Sequence, residues 1–339
     1  MSQSINVAVV GATGMVGEAI LEILEQREFP IDSLFLLASE NSAGKHIQFN
    51  DKSHKVERIE EFDFSQAQVA FFTAGSAVSE EYAQLAADQG CVVIDNTSHF
   101  RYDYDVPLVV PEVNPERIAE YPNRGIIANP NCSTIQMLLA VAPIHRHASV
   151  KRINVATYQA VSGSGKSGVE ELAGQTAKLL NAQTPESKVY PKQIAFNVLP
   201  QIDEVQDNGY TREEMKMVWE TQKILGDESV SVNPTCVRVP VFFGHSEAVH
   251  IECWDPISAE EVRELLNHSP GVTVIDNSEE LYATAVTDAA KNDDVFVSRI
   301  REDISCENAV NLWVVADNVR KGAALNSVQI AEILIQQYI

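Results

Sequence analysis

The sequence predicts an α/β fold, a doubly wound parallel sheet followed by a second domain of α+β character, and three observations carry that expectation. The short β-branched run INVAVV at residues 5–10 leads into GATGMVG and then into EAILEILEQ, whose apolar residues fall at helical spacing. A strand, a glycine turn and a helix therefore follow one another. Similar units recur at SLFLLAS, at QVAFFTAG with SEEYAQLAADQG behind it, and at CVVIDNTS, the alternation that builds a parallel sheet covered on both faces. After Asn129-Pro130-Asn131 the pattern changes to one helix, Ser133 to Val141, and then to longer strands, RINVATYQAVSG, VRVPVFF and EAVHIECW. In the tail, KGAALNSVQIAEILIQQYI repeats its apolar residues at helical spacing, which predicts a final helix that returns to the first domain. The expected division is residues 1–130, completed by a helix at 318–339, and residues 131–317.

With 339 residues, 45% of them hydrophobic, the chain is long enough for two cores. Acidic residues outnumber basic ones by 48 to 25, a net charge of −23. That balance argues against a nucleic-acid partner, because polyanion binding needs clustered Lys and Arg to displace counterions. An anionic small substrate would have to find its basic partners locally. The start MSQSINVAVVG has no basic region, and no apolar run approaches membrane-spanning length, so no membrane contact and a cytoplasmic location are expected. The five cysteines, Cys91, Cys132, Cys236, Cys253 and Cys306, are scattered without a C-x-x-C pair, which suggests neither a disulfide framework nor a metal site.

The glycines of Gly11-Ala-Thr-Gly14-Met-Val-Gly17 permit a tight turn, close approach of backbone to a pyrophosphate, and close packing of helix on strand. A phosphate would sit on the N–H groups that open the helix. Placed directly after the first strand, the trio favours a dinucleotide over a plain strand-to-helix turn. The second strand ends at Ser39-Glu40-Asn41-Ser42-Ala43-Gly44-Lys45. Ser39, Asn41 and Ser42 can donate to a 2′-phosphate, whereas Glu40 repels one if turned inward, so this loop by itself leaves NAD and NADP both open. Residues 160–167, AVSGSGKS, come close to a phosphate-binding Walker loop, but Ala160 stands where its first glycine belongs. An ATPase reading is set aside, and the stretch is kept as a flexible, N–H-rich loop.

The segment Asn129-Pro130-Asn131-Cys132-Ser133-Thr134 places a cysteine in the first turn of a helix whose start is marked by Pro130 and the capping residue Asn131. The helix dipole there favours thiolate, and the same amides could stabilise a tetrahedral oxyanion. Most lone cysteines are inert core fillers. Cys91, Cys236, Cys253 and Cys306 are read that way because each lies in or beside an apolar or strand-like run.

These residues carry a resemblance. GATGMVG, SHFR at 98–101, NPNCST around Cys132, TYQAVSGSGK, REEMK at 212–216, VRVPVFFGHSE and DNVRKGAALN occur in the order found in the aspartate-semialdehyde dehydrogenase family, along nearly the whole chain. The resemblance implies a Rossmann-type cofactor domain, a second domain for catalysis and dimerisation, and a homodimer. It also implies conversion of β-aspartyl phosphate to aspartate semialdehyde and phosphate with NADPH, a branch-point step toward lysine, methionine and threonine. Carried over, the acyl-thioester cysteine falls on Cys132, the acid/base histidine on His245 and the substrate-orienting glutamine on Gln159. The carboxylate-binding arginine falls on Arg238, suited to a bidentate grip. Glu213 matches the residue that meets the substrate ammonium, while Lys216 and Arg101 match the phosphate binders. Taken alone, Glu213 and Lys216, at i and i+3, would be an ordinary exposed salt bridge. For NADP the family places Thr13, Gly14, Met15 and Val16, the loop at Asn41 and Ser42, Ser162 and Gly163, and Asn318. The family often has an arginine where this chain has Asn41, which weakens the expected grip on a 2′-phosphate.

In the expected mechanism the Cys132 thiolate attacks the acyl phosphate, helix amides hold the oxyanion, and phosphate leaves from Arg101 and Lys216. Hydride then reduces the thioester, and His245, expected near neutral pKa, protonates the collapsing hemithioacetal. Seven residues of straight strand would separate Arg238 from His245 by roughly 23 Å, so the chain must bend between them, with Pro240 and Gly244 as the available points. Two other readings stay open from sequence: N-acetyl-γ-glutamyl-phosphate reductase, which lacks a free ammonium for Glu213 to read, and a non-catalytic paralogue acting as a binding protein.

Overall fold

The computed structural model describes residues 4–277 and 279–339. The chain divides into two units, one formed by the chain up to Pro130 with Ala323–Ile339, the other by Asn131–Gly322. In the first unit follow β1 (Ile5–Val10), α1 (Met15–Gln26), β2 (Ile31–Ala38), β3 (His46–Phe49), β4 (Lys52–Arg58), β5 (Val69–Phe72), α2 (Ser76–Asp88), β6 (Val92–Asp95) and β7 (Ile126–Ala128). They form one sheet in the order β3-β4-β2-β1-β5-β6-β7. Every pairing is parallel except the β3–β4 hairpin. The apolar runs VAFF and VVID of β5 and β6 are buried throughout, as strands covered on both faces must be. The chain runs outward from β1 through β2 to β4 and then returns to β5, so the order reverses between β1 and β5. Sheets of this kind bind ligands at that crevice.

The second unit contains α3 (Cys132–Ala148), β8 (Val150–Gln159), α4 (Gly165–Leu180), α5 (Arg212–Leu225), β9 (Ser231–Arg238), β10 (His245–Cys253), α6 (Ala259–Asn267), β11 (Val272–Val274), β12 (Val295–Glu302) and β13 (Ala309–Ala316). Its mixed sheet has the order β11-β12-β13-β10-β8-β9. β8 runs parallel to β9 and antiparallel to β10, which pairs antiparallel with β13. The largely buried α3 packs on β8, β10, β12 and β13. The last helix, α7 (Leu325–Gln337), packs beside α1 in the core of the first unit. The α/β fold class expected from the sequence is the one found. Among the described residues no helix is long and apolar enough to cross a membrane.

Four local expectations need correction. The helix begun at Cys132 does not stop at Val141 but runs to Ala148 through Pro143, because burial on nearly all sides outweighs the cost of one proline. VRVPVFF is not a strand: β9 ends at Arg238, and Phe242 and Phe243 lie partly exposed in the turn that follows. The final helix begins at Leu325 rather than Asn318, since Asp317 accepts hydrogen bonds from the Val319 and Arg320 amides and a π-helical turn spans Arg320–Ala324. Cys306 is no core filler; it sits half-buried in a turn where Asp303 accepts from its amide.

Candidate active site

In the first unit Gly11 ends β1 with φ +86°, a left-handed conformation that favours glycine. A Cβ there would lie 2.7 Å from Thr73 Oγ1, and one on Gly17 would fall on Gly11 O. Gly14 caps α1 without a side chain, so the opening amides, at Met15 and Val16, gain no intrahelical or side-chain acceptor. This is a cradle that fits a pyrophosphate. Thr13 Oγ1 lies 3.3 Å from Ser42 Oγ, which also accepts from Lys45 Nζ at 3.3 Å. The loop after β2 is thereby joined to the glycine turn, with Ser39, Glu40 and Asn41 at its exposed edge. The Glu40 carboxylate lies 3.9 Å from Arg58 Nη1 and is largely exposed. Arg101, also in this unit, is buried and donates to Asn96 O at 2.9 Å.

In the second unit Cys132 is the first residue of α3, partly exposed, behind its N-cap Asn131. Asn131 Oδ1 accepts from the Ser133 and Thr134 amides at 2.9 and 3.4 Å. That corrects the expected oxyanion site, because two of the helix amides assigned to it are already engaged by the cap. The cap loop is held in turn from α5: Asn131 N donates to Glu220 Oε2 at 2.6 Å and Asn131 Nδ2 to Glu213 Oε1 at 2.9 Å. Gln159 Nε2 donates to the same Glu213 oxygen at 3.1 Å and to Thr157 Oγ1 at 3.3 Å. Lys216 Nζ lies 3.0 Å from Glu213 Oε2 and 2.9 Å from Asp203 Oδ2. Glu213 is therefore buried in a network rather than paired on the surface. Burial alone would raise its pKa, but the Lys216 charge and the donors Asn131, Lys216 and Gln159 outweigh it and hold the carboxyl at about 2. Burial likewise opposes the charge on Lys216, yet Glu213 and Asp203 leave its pKa raised.

Arg238 and Gln159 are register partners on β9 and β8. Beyond the Ser246–Tyr158 pair the ladder brings His245 on β10 level with Gln159, so guanidinium, carboxamide and imidazole stand in one cross-strand row. The bend that this requires is present, with Gly244 at φ +84° between the two strands. Ala160 joins the row's two ends: its O accepts from Arg238 Nη1 at 2.6 Å and its N donates to His245 Nδ1 at 3.0 Å. Gly163 lies against both, since a Cβ there would come within 2.8 Å of Arg238 Nη1 and 3.6 Å of His245 Cε1. Asn318 Oδ1 accepts from Ser162 Oγ at 3.0 Å and from Gly244 N at 2.9 Å.

Because Nδ1 accepts the Ala160 amide, the imidazole carries its proton on Nε2, which is buried and makes no hydrogen bond. The near-neutral pKa expected of His245 is corrected: burial, and then the Arg238 charge, pull it down to about 3. Arg238 is itself buried, its Nε makes no hydrogen bond, and no carboxylate pairs with it among the described residues. A buried guanidinium without a counter-ion is costly unless an anion arrives.

The cradle, the reversed sheet and the appended mixed-sheet unit are those of a two-domain oxidoreductase that binds a nicotinamide dinucleotide. Residues 6–121 match the family described as semialdehyde dehydrogenase, NAD binding domain, and residues 141–321 that described as semialdehyde dehydrogenase, dimerisation domain. The chain is 62% identical to the aspartate-semialdehyde dehydrogenase of Shewanella violacea over 100% of both chains. It is 61% identical to aspartate-semialdehyde dehydrogenase 2 of Vibrio cholerae, again over 100% of both. A crystal structure of aspartate semialdehyde dehydrogenase II complexed with ASA from Vibrio cholerae superposes with a TM-score of 0.98 at 61% identity, covering 100% of each chain. The enzyme of Candida albicans, solved with NADP, superposes with a TM-score of 0.78 at 25% identity over 98% of each. The chain belongs to the aspartate-semialdehyde dehydrogenase family, and neither the acetylglutamyl-phosphate reductase reading nor the non-catalytic one is favoured.

Proposed function

We propose that the chain catalyses NADPH-dependent reductive dephosphorylation of β-aspartyl phosphate to aspartate semialdehyde through a thioester on Cys132, a step of amino-acid biosynthesis toward lysine, methionine and threonine, in the cytoplasm and as a homodimer. The observation that carries this reading is the cross-strand row: an arginine buried without a counter-ion, level with a carboxamide and with an imidazole whose Nε2–H makes no hydrogen bond. Arg238 is the anchor for the substrate α-carboxylate, with Nε offered to one oxygen. Glu213 meets the substrate ammonium through the acceptor capacity left on Oε2, which takes one hydrogen bond, from Lys216. Lys216 has two of its three N–H groups engaged, leaving one for a phosphate oxygen, and Arg101 is the second phosphate ligand.

The Cys132 sulfur attacks the acyl carbon, the C–O bond to phosphate breaks, and a thioester remains. With the Ser133 and Thr134 amides engaged by Asn131, the unbonded imidazole Nε2–H serves the oxyanion of each tetrahedral species as a neutral hydrogen-bond donor. Gln159, braced by Glu213 and Thr157, orients the acyl group. When bound, reduced dinucleotide supplies the hydride that takes the acyl group to the aldehyde level. The Gly11, Thr13, Gly14, Met15 and Val16 turn would hold its pyrophosphate, and Ser162, Gly163 and Asn318 would be further cofactor contacts. NADP is favoured over NAD because Glu40 lies toward Arg58 while Ser39, Asn41, Ser42 and Lys45 remain as donors to a 2′-phosphate; the Candida relative was solved with NADP. The homodimer rests on the dimerisation-domain match and on the sheet's outer face, where Ala248, Tyr282 and Trp313 line an apolar groove of about 430 Å³.

The test is phosphate-dependent reduction of NADP by aspartate semialdehyde, run beside NAD and beside N-acetylglutamate semialdehyde. Turnover with aspartate semialdehyde and NADP, at least tenfold above the other combinations, is the expected outcome; no turnover, or none that needs phosphate, overturns the reading. Arg238→Met is expected to raise KM for aspartate semialdehyde by about 10²-fold or more, the scale of losing a buried charge-assisted pair, while KM for NADP stays within about twofold. Steady-state kinetics with each substrate varied in turn would measure both.

A further inference from the structure

Behind the row of Arg238, Gln159 and His245 lies a second one, two residues further along each strand: Cys236, Thr157 and Glu247, paired across β9, β8 and β10. Thr157 accepts from Gln159. Glu247 is completely buried, and neither of its carboxyl oxygens makes a hydrogen bond. On α3 the Gln136 carboxamide is also completely buried, with both its polar atoms unbonded. The two side chains interact, though not at hydrogen-bond geometry: burial drives the Glu247 carboxyl far above the usual carboxylate range, and the Gln136 amide is the group that opposes this. Desolvation at this site wins over a neutral amide dipole, so the carboxyl is the neutral acid.

The placement of the pair bears on the reaction. Cys132 and Gln136 are i and i+4 on one face of α3, and His245 and Glu247 are i and i+2 on one face of β10. Each partner stands one step behind a reacting group. An apolar pair would fill the same volume at less cost, but dispersion contacts let a helix slide over a sheet, whereas two directed hydrogen bonds set its position. We propose that Glu247 and Gln136, two buried polar groups without other partners on the packed elements β10 and α3, form an acid–amide couple that positions the Cys132 end of α3 on β10, closing from the unbonded arrangement just described to one in which the Glu247 hydroxyl donates to Gln136 Oε1 and Gln136 Nε2 to the Glu247 carbonyl oxygen. Both are positioning residues for the thiol and the imidazole. The polar and titratable groups around the couple are the Cys236 thiol on β9, which burial above all holds far above the usual thiol range, Thr157 on β8, Cys132 on α3 and His245 on its own strand. β13 presents Val314 opposite Glu247.

The activity half of this proposal rests on the thioester reading; the ionisation half does not. The folded chain holds a proton on Glu247 that the unfolded chain releases above its ordinary value of 4.5, so this group makes stability fall as pH rises from there. Glu247→Gln has no proton to lose. Its melting temperature is expected to match the native protein's near pH 4 and to exceed it increasingly toward pH 8; a gap that is constant with pH, or that closes upward, means an ionised Glu247 and overturns the proposal. Glu247→Gln keeps the pairing and should rescue kcat to within about twofold, whereas Glu247→Leu and Gln136→Leu should lower kcat about tenfold or more at unchanged KM for aspartate semialdehyde. The rate of Cys132 alkylation by iodoacetamide should shift in both Leu variants and not in the Gln variant. Native kcat and alkylation rate in Glu247→Leu, or equal damage in Glu247→Gln and Glu247→Leu, would each defeat the couple. Should the thioester reading itself be wrong, Cys132→Ala stays active while the pH-dependent stability gap is unaffected.

Discussion

Cys132→Ala is expected to remove phosphate-dependent turnover, by on the order of 10⁴-fold or more, while NADP affinity stays unchanged. In the proposed mechanism the Cys132 thiol is the nucleophile, and its replacement removes the covalent step rather than weakening it. The loss should not come from the fold. Residue 132 is the first helical position, partly exposed, and the cap that starts the helix belongs to Asn131 and its bonds to Ser133, Thr134, Glu213 and Glu220. Stability should therefore change by no more than about 0.5 kcal/mol. Three measurements decide the matter: initial rates, dinucleotide binding by fluorescence quenching, and thermal melting. Residual turnover near native would sink the thioester step, and loss of dinucleotide binding would show that the substitution had disturbed more than the sulfur.

His245→Asn comes second, with an expected loss in kcat of about 10²- to 10⁴-fold and a small effect on KM, because in the proposed mechanism the Nε2–H acts on charge that develops only in the transition state. The buried imidazole is neutral well below physiological pH, with its pKa at about 3. The pH profile of kcat in the native enzyme should accordingly show no limb near 6.5 from this group; a limb there that vanishes in His245→Asn would restore the ordinary imidazolium acid. Stability has a definite sign. Between the ordinary value of 6.5 and the folded value near 3 the unfolded chain binds a proton that the folded chain does not. His245 therefore costs stability as pH falls below 6.5 and costs nothing above it. His245→Asn should melt higher than the native protein at pH 5 and lose that advantage at pH 8.

Much of the first unit, and the start of the second, was legible in the chain. The glycine trio after INVAVV, the recurring strand–helix pattern and the proline-marked helix start at Asn131-Cys132 are local signals, and local chemistry decides turns and caps. The β3–β4 hairpin was not foreseen, although Asn50-Asp51, both at positive φ, is a two-residue turn signal that could have shown it. Glu220 was also missed. Its spacing from Glu213 and Lys216 puts all three on one face of α5, which marks a charged, inward-facing stripe once the helix is placed. That Asn131 engages the Ser133 and Thr134 amides follows from its reading as the helix cap, and it was in conflict with assigning the same amides to an oxyanion. The strand read into VRVPVFF failed because apolar residues there serve a bend, and only the pairing of β9 with β8 shows where the ladder stops.

By itself the sequence determined the fold class, the dinucleotide cradle, the position of the thiol at a helix start and the family. Each of these is written in residue type and short-range spacing, which survive any packing of the units. Tertiary structure alone decided that Arg238, Gln159 and His245 share one cross-strand row, that the His245 imidazole is neutral, and that Glu213 is buried with Lys216 largely sheltered beside it rather than paired on the surface. Those properties come from desolvation and from which groups stand opposite across strands distant in sequence, and neither quantity exists until the chain has folded.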